Sequence, residues 1–499
     1  MKRIPTSAVQ AFETEHIAAV RKAASECMVL LKYDGSFPVK PCKLAAYGGG
    51  VRHTIKGGTG SGDVNVRSFS TVEQGLQNAG FTLTTTAWLD AYDDLFAKAQ
   101  ADFNAYLQQL AAKSSAPLSV FGLMMPEPEY DLPPEASGDA AIYVLARNSG
   151  EGADRKPVAG DIALTETEKR DILALASRYE KFMLVLNVGG MVDVTPVQDA
   201  VKNILVMSQL GTPTGDALAD VLCGKAYPSG KLTMTWAPID RYPSTEGFGD
   251  PSDTRYTEGI FVGYRYFDTF GAACTFPFGF GLGYTAFAYT AADFTADEKA
   301  ITVRVTVENT GDRVGKEVIQ LYYSAPDGKL SKPAKELAAY AKTKELAPHE
   351  KQTLTLSFPT AQMASYDASR SAYILEAGVY ELLAGTSSAN VVSCGKVLLD
   401  KEVLTRQLRS VGGAPDFTDL TPDHPKAPVS PEGAIRLNAA AFATETVTYS
   451  ADPVELTGNS GTWADVKSGK LTLAEFVGGL TNEQLAYLCI GNYRDPKEG

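Results

Sequence analysis

A mainly parallel α/β sheet followed by a β-sandwich is the fold this sequence predicts. Three observations carry it. Short apolar runs alternate with helical patterns from Lys43 to Leu222. The hydrophobic period changes from helical to two near residue 290. Turn signals such as Asn309-Thr310-Gly311 and Pro326-Asp327-Gly328 then separate short alternating stretches. Strands that alternate with helices form parallel sheets covered on both faces, whereas closely spaced alternating strands form sandwiches.

Residues 7–28 read as a helix, with Ile17, Val20, Ala23, Ala24 and Cys27 at helical spacing. The apolar run Lys43–Tyr47 ends in Gly48-Gly49-Gly50, and helices follow at Thr71–Asn78 and Thr86–Ala112. A second run, Ala140–Leu145, leads into a Gly-containing loop. Then come a helix at Glu166–Arg178, strands at Phe182–Val188 and Asn203–Met207, and a helix at Gly215–Leu222. Ligands of such sheets collect at the carboxyl ends of strands, so the loops after Tyr47 and Leu145 are the ones that matter. Further on, Ile301, Val303, Val305 and Val307 alternate with polar residues, as do Leu354, Leu356 and Phe358. Several short strands over about 110 residues suggest a sandwich of fibronectin type III kind. The expected organisation is a helical segment over 1–20, an α/β domain over 21–289, a sandwich over 290–402 and a linker over 403–470 rich in Pro, Asp, Thr and Gly. Helical spacing returns at Leu471–Leu488, with Thr481 as its N-cap.

The chain has 499 residues and a formal net charge of -13, which disfavours nucleic acid as a partner. Its six cysteines form no CxxC pair, and with four histidines no metal-ligand spacing is present. Neither an apolar leader segment nor a run of 18 apolar residues occurs, so a cytoplasmic protein with no membrane segment is expected.

Two stretches carry chemistry. Gly57-Gly58-Thr59-Gly60-Ser61-Gly62-Asp63 matches neither GxGxxG, GxxxxGK[ST] nor GxSxG. Its glycines fit a surface loop, or a backbone that admits a ligand closely beside the side chains of Ser61 and Asp63. The second is Asn148-Ser149-Gly150-Glu151-Gly152-Ala153-Asp154-Arg155. Glu151 between two glycines has the freedom a general acid needs, although most loop glutamates are solvated charges. Asp154 and Arg155 are expected to pair and fix the stem of the loop. One carboxylate does not make a glycosidase, which uses two.

The GGTGSGD and SGEG stretches closely resemble the α/β-sandwich domain of family-3 glycoside hydrolases. The resemblance continues through Pro228–Leu232, Tyr256–Tyr266 and Phe278–Thr285. It implies a six-stranded-type α/β sandwich followed by a fibronectin type III-like domain. It further implies retaining hydrolysis of terminal β-D-glucosides, with Glu151 as acid/base. Ser61 would contact the sugar, with Thr59, Gly60 and Asp63 in the same substrate-binding loop. The family's nucleophile is an aspartate on a (β/α)8-like barrel. Leu471–Val477 and Leu480–Leu485 resemble the opening of that barrel, placed after the α/β domain in a swapped order, so 471–499 is expected to be its incomplete start. The partners implied are a β-glucoside and the missing barrel, in the same gene or a second chain, and a homo-oligomer is compatible with them. No metal or organic cofactor is implied. A β-xyloside or N-acetyl-β-glucosaminide substrate is the alternative, and a non-catalytic carbohydrate-binding protein is the reading if no barrel exists. The aromatic stretch Tyr264–Phe270 is expected to serve packing, and Arg265 an ion pair.

Overall fold

The computed structural model describes residues 8–113, 120, 122–148, 151, 154–243, 254–410, 417–423, 425–447 and 461–490, the side chains of Ser61 and Ala292 excepted. Two units are distinguished, one formed by residues through Thr405 together with Ser410–Thr444, the other by Arg406–Arg409 with 445–499.

The first unit opens with helix α1 (Ala11–Cys27) and strands β1 (Val29–Lys32) and β2 (Lys43–Tyr47). Next come α2 (Val72–Ala79), β3 (Thr82–Leu83), α3 (Thr86–Lys113) and β4 (Ala140–Arg147). After these follow α4 (Glu166–Arg178), β5 (Phe182–Val188), β6 (Ile204–Val206), α5 (Thr214–Leu222) and α6 (Tyr264–Phe270). The six strands order as β1-β6-β5-β4-β2-β3, with β1 antiparallel to β6 and the other pairings parallel. β5 is buried along its whole length and β4 nearly so, which is why both read as continuous apolar runs. Helix starts follow from capping boxes, Thr71 with Gln74 on α2 and Thr165 with Glu168 on α4.

The chain moves outward from β2 to β3, then returns to place β4 on the other side of β2. The order therefore reverses between β2 and β4, and the crevice at their carboxyl ends is where a ligand of such a sheet is held. Gly48 turns the chain there at φ +88, and a Cβ on it would sit 2.5 Å from the Val144 carbonyl oxygen.

The sandwich is built from β7 (Phe287–Ala296), β8 (Ala300–Asn309), β9 (Val318–Ser324), β10 (Glu336–Lys342) and β11 (Lys351–Pro359). A hairpin of β12 (Ser365–Asp367) and β13 (Ala372–Leu375) precedes β14 (Gly378–Ser387), β15 (Asn390–Leu399) and β16 (Val403–Gln407). Sheet β11-β8-β7 packs its alternating Ile301, Val303, Val305 and Val307, all fully buried, into a core shared with Leu321, Tyr380 and Leu382. The other sheet, β10-β9-β14-β15-β17, includes β17 (Ile435–Leu437), which pairs parallel with β15. The stretch 403–470 was expected to be a linker, yet β16 and β17 lie within it. A three-residue strand is too short to show a period in sequence.

Polar contacts join the α/β part to the sandwich. Lys231 pairs with Glu317 at 2.6 Å, and Lys316 and Lys342 both reach Glu26. Tyr264 stacks on Phe278 and accepts a hydrogen bond from the Leu337 amide, while Arg265 pairs with Glu336 at 3.3 Å. These residues serve packing and ion pairing, as expected of them.

In the second unit, β18 (Glu445–Thr446) pairs parallel with Arg406 and Gln407, and helices α7 (Trp463–Lys467), α8 (Leu473–Gly478) and α9 (Asn482–Ile490) follow. Thr481 caps α9 by accepting from the Gln484 amide. Leu473, Tyr487, Leu488 and Ile490 are exposed. Residues 491–499 of the expected barrel start lie outside the described residues.

Because Gly48 combines a left-handed φ with backbone contact, Gly48→Ala is expected to cost several kcal/mol of unfolding free energy in urea. A loss under about 0.5 kcal/mol would mean that the turn after β2 is not constrained in this way.

Candidate active site

Glu151 and the glycine loop after β2 meet at the reversal crevice. Thr59 leads into a single 3-10 turn, Gly60–Gly62. Gly60 has φ +70, and a Cβ built on it would lie 2.9 Å from Glu151 Cβ and 3.1 Å from Glu151 Cδ. The Glu151 side chain thus occupies the space that any other residue at position 60 would need. It remains exposed, as a proton donor to a bound substrate must be.

The other residues of the glycine loop are placed as follows. Thr59 Oγ1 donates to Met124 Sδ at 3.4 Å. The Asp63 carboxylate pairs with Lys56, whose ammonium lies 5.7 Å from the centroid of the Phe69 ring. The side chain of Ser61 lies outside the described residues, as do Gly150 and Gly152.

The stem of the glutamate loop is fixed, but not by the pair expected. Arg155 does not pair with Asp154, which is exposed. Its Nε donates to Asp161 Oδ1 at 2.7 Å and its Nη1 to the Met191 carbonyl at 2.7 Å. Asp161, six residues on, is the carboxylate that the Arg155 guanidinium reaches, and Asp154 points to solvent instead. Asp161 also accepts from the Lys156 amide at 2.6 Å.

On the other side of Glu151 stands Arg147, at the end of β4. Its Nε donates to the Asp161 carbonyl at 2.9 Å, and its Nη2 donates to both Glu168 oxygens, at 2.8 and 2.6 Å. The side chains of this ion pair are only 4% and 2% exposed. Asp161 is thus the common anchor of two arginines, each four residues from Glu151. The motifs singled out in the sequence did not include Arg147, Asp161 or Glu168. The T-x-x-E spacing of Thr165 and Glu168 was the one available signal.

Beside this brace lies Glu127. Tyr92 Oη donates to Glu127 Oε1 at 2.6 Å. Burial, reinforced by the Glu168 charge and opposed by Arg147 and the Tyr92 hydroxyl, pushes its carboxyl up to about 7. His53 is nearby, with Nε2 2.8 Å from Asp93 Oδ1 and its ring stacked on Phe96 at 4.2 Å. Among the described residues, no group of three or more His, Cys, Asp and Glu side chains could hold a metal ion. Among them, too, no helix is long and apolar enough to cross a membrane.

The profile of the glycosyl hydrolase family 3 C-terminal domain matches residues 28–284, just over half of the chain. The chain belongs to glycosyl hydrolase family 3. A fibronectin type III-like domain profile matches residues 317–388. Beta-glucosidase A of Butyrivibrio fibrisolvens is 34% identical over 552 aligned positions, which cover 96% of this chain and 65% of that protein. A beta-glucosidase of Ruminococcus albus is 32% identical, over 96% of this chain and 50% of its own length. Among solved structures, a beta-glucosidase from Paenibacillus barengoltzii superposes with a TM-score of 0.74 at 31% identity, covering 95% of this chain and 53% of that one. Beta-glucosidase 3B from Thermotoga neapolitana, solved with α-D-glucose, gives 0.66 at 34% identity, over 78% of this chain and 55% of that one. The family 3 chain described here therefore spans about half to two thirds of the length of these relatives. Its fold is the family's α/β domain followed by a fibronectin type III-like sandwich.

The raised carboxyl of Glu127 carries a pH signature. A group whose folded pKa exceeds its unfolded value stabilises fully below the unfolded value and loses that contribution as pH rises through the folded one. From the ordinary carboxylate range near 4.5 to about 7, stability should therefore fall with rising pH. Glu127→Gln keeps an acceptor for Tyr92 and removes the titration. The variant should gain on the native chain between pH 5 and pH 8, by up to about 3 kcal/mol at roughly 1.4 kcal/mol per pKa unit. An equal difference between the two chains at both pH values would show that Glu127 ionises in the ordinary range.

Proposed function

We propose that this chain supplies the acid/base half of a retaining β-glucosidase, acting on terminal non-reducing β-D-glucosyl residues. The observation that carries the reading is the seating of Glu151 against Gly60 at the reversal crevice. Family membership and the β-glucosidase names of the relatives supply the reaction class.

In this reading Glu151 protonates the glycosidic oxygen as a nucleophilic carboxylate attacks the anomeric carbon, then takes a proton from the water that releases the sugar. The glycine loop brings backbone and the side chains of Thr59, Ser61 and Asp63 to the sugar, with Gly60 as its point of contact with Glu151. Arg155, through Asp161, keeps the loop stem in place; Asp154 is left facing solvent. The nucleophile belongs to a (β/α)8-like barrel, of which 471–499 is the start. A cytoplasmic setting belongs to the same reading, and the six cysteines, all free thiols, support it.

The test is Glu151→Gln in the enzyme completed by its barrel. Alkyl glucosides, with poor leaving groups, should lose about 10²–10⁴ in kcat/KM, and activated aryl glucosides much less. Azide should partly restore turnover of the aryl substrates, because it attacks the glycosyl intermediate without general-base help. Equal losses on both substrate classes, with no rescue by azide, would remove Glu151 from the acid/base role.

A further inference from the structure

Both site loops rest on one further segment, the turn after β6. Ser208 begins it at φ +60, a left-handed backbone that residues other than glycine seldom adopt. Such a conformation persists where its surroundings over-determine it. Asn187, fully buried near the end of β5, does so here. Its Nδ2 donates to the Ser208 carbonyl at 2.7 Å and to the Ile55 carbonyl at 3.0 Å. Its Oδ1 accepts from the Ile55 amide at 2.7 Å. One side chain thus ties the turn to the chain just before the glycine loop. The turn then holds that loop at both ends. The Gly211 amide donates to the Lys56 carbonyl at 2.8 Å, and the Ser70 amide donates to the Thr212 carbonyl at 3.0 Å. Ser70 Oγ also accepts from the Asp216 amide at 3.1 Å. Lys56 and Ser70 bound the excursion that carries Thr59–Asp63.

Gln209, in the same turn, reaches the other loop. Its Nε2 lies 3.2 Å from Asn148 Oδ1 and 3.5 Å from the Arg147 carbonyl oxygen. A backbone carbonyl only accepts, so the amide nitrogen is the end that faces it. Gly189, just after β5, makes room for this side chain, since a Cβ there would sit 2.9 Å from Gln209 Oε1. Asn148 stands three residues before Glu151. It also borders a cavity of about 370 Å³ above α3, a space that supplies no atoms to pack against it. Gln209 supplies a contact from the side of the sheet.

We infer that Gln209 is a positioning residue for Glu151. By fastening Asn148 to the turn that holds both ends of the glycine loop, it sets one site loop in register with the other. Its effect on turnover rests on the acid/base reading of Glu151, but the register it sets does not. The two can therefore fail separately.

The experiment has a structural arm and a kinetic arm. Gln209→Met keeps the length of the side chain and removes its donor. In residues 1–499 it should weaken the nuclear Overhauser effect between the Gly60 α and Glu151 β protons. In the enzyme completed by its barrel, it should lower kcat/KM for methyl β-D-glucoside about tenfold, roughly the worth of one hydrogen bond. Dinitrophenyl β-D-glucoside, whose leaving group needs little protonation, should lose less than about twofold. A purely structural role would lower both substrates alike. Asn148→Ala should reproduce the pattern, and the double variant should be no worse than either single one. Gln209→Glu sets a carboxylate against the same two acceptors and should act in the same direction, so it serves should Gln209→Met unfold. An unchanged Overhauser effect, equal losses on the two glucosides, or additive losses in the double variant would overturn the proposal. Failure of both Gln209 variants to fold would overturn it too, by making the residue structural. If Glu151→Gln itself shows no dependence on the leaving group, the acid/base reading falls, and the Overhauser effect alone decides whether Gln209 sets the register.

Discussion

Burying a guanidinium costs several kcal/mol unless the charge is paired and its hydrogen bonds are met. Arg147, at the carboxyl end of β4, meets both conditions. Glu168 takes its charge from the first turn of α4, and the carbonyls of Ala146 and Asp161 accept from its remaining nitrogens. Strand, helix and return loop are thereby joined at one point, immediately before the chain leaves the sheet for Glu151. Asp161 extends the brace, since its carbonyl serves Arg147 and its carboxylate serves Arg155. A loop held at both stems can carry an exposed carboxylate without losing its position, which is the requirement for a general acid facing a substrate.

The sheet order makes that position useful. Reversal between β2 and β4 leaves a crevice that only their following loops can line. Gly48 lets the first loop leave β2 close to Val144, and Gly60 lets it return against Glu151. The same two strands end beside Glu127 and the cavity above α3. Glutamate loop, glycine loop and cavity are thus consequences of one topological feature, with the Arg147 brace giving it rigidity.

Much of this was legible in the sequence, for physical reasons that differ by element. β4 and β5 showed themselves because a strand buried on both faces must be apolar throughout. Helices α2 and α4 did so through their helical spacing of apolar residues, and the sandwich through the strict alternation of β8. The two site loops were found by motif, and their contact at Gly60 could not have been. The brace stayed hidden because Arg147 meets its partners across 14 and 21 residues of sequence. Proximity in sequence misled at Asp154, whose neighbour Arg155 turns to Asp161 instead. Glu127 lies in a run of prolines and acids with nothing to set it apart in sequence, although its environment raises its pKa. β17 was lost in a stretch whose composition resembles a linker.

The central claim is that the crevice seats Glu151 on Gly60, and a proton–proton measurement addresses it directly. In a perdeuterated chain protonated only at glycine and glutamate, a nuclear Overhauser effect should connect the α protons of Gly60 with the β protons of Glu151. Its strength should fall in Asp161→Ala, where Arg155 loses its carboxylate anchor. Absence of any cross-peak between assigned Gly60 and Glu151 signals would contradict the account, because the two loops would then not meet.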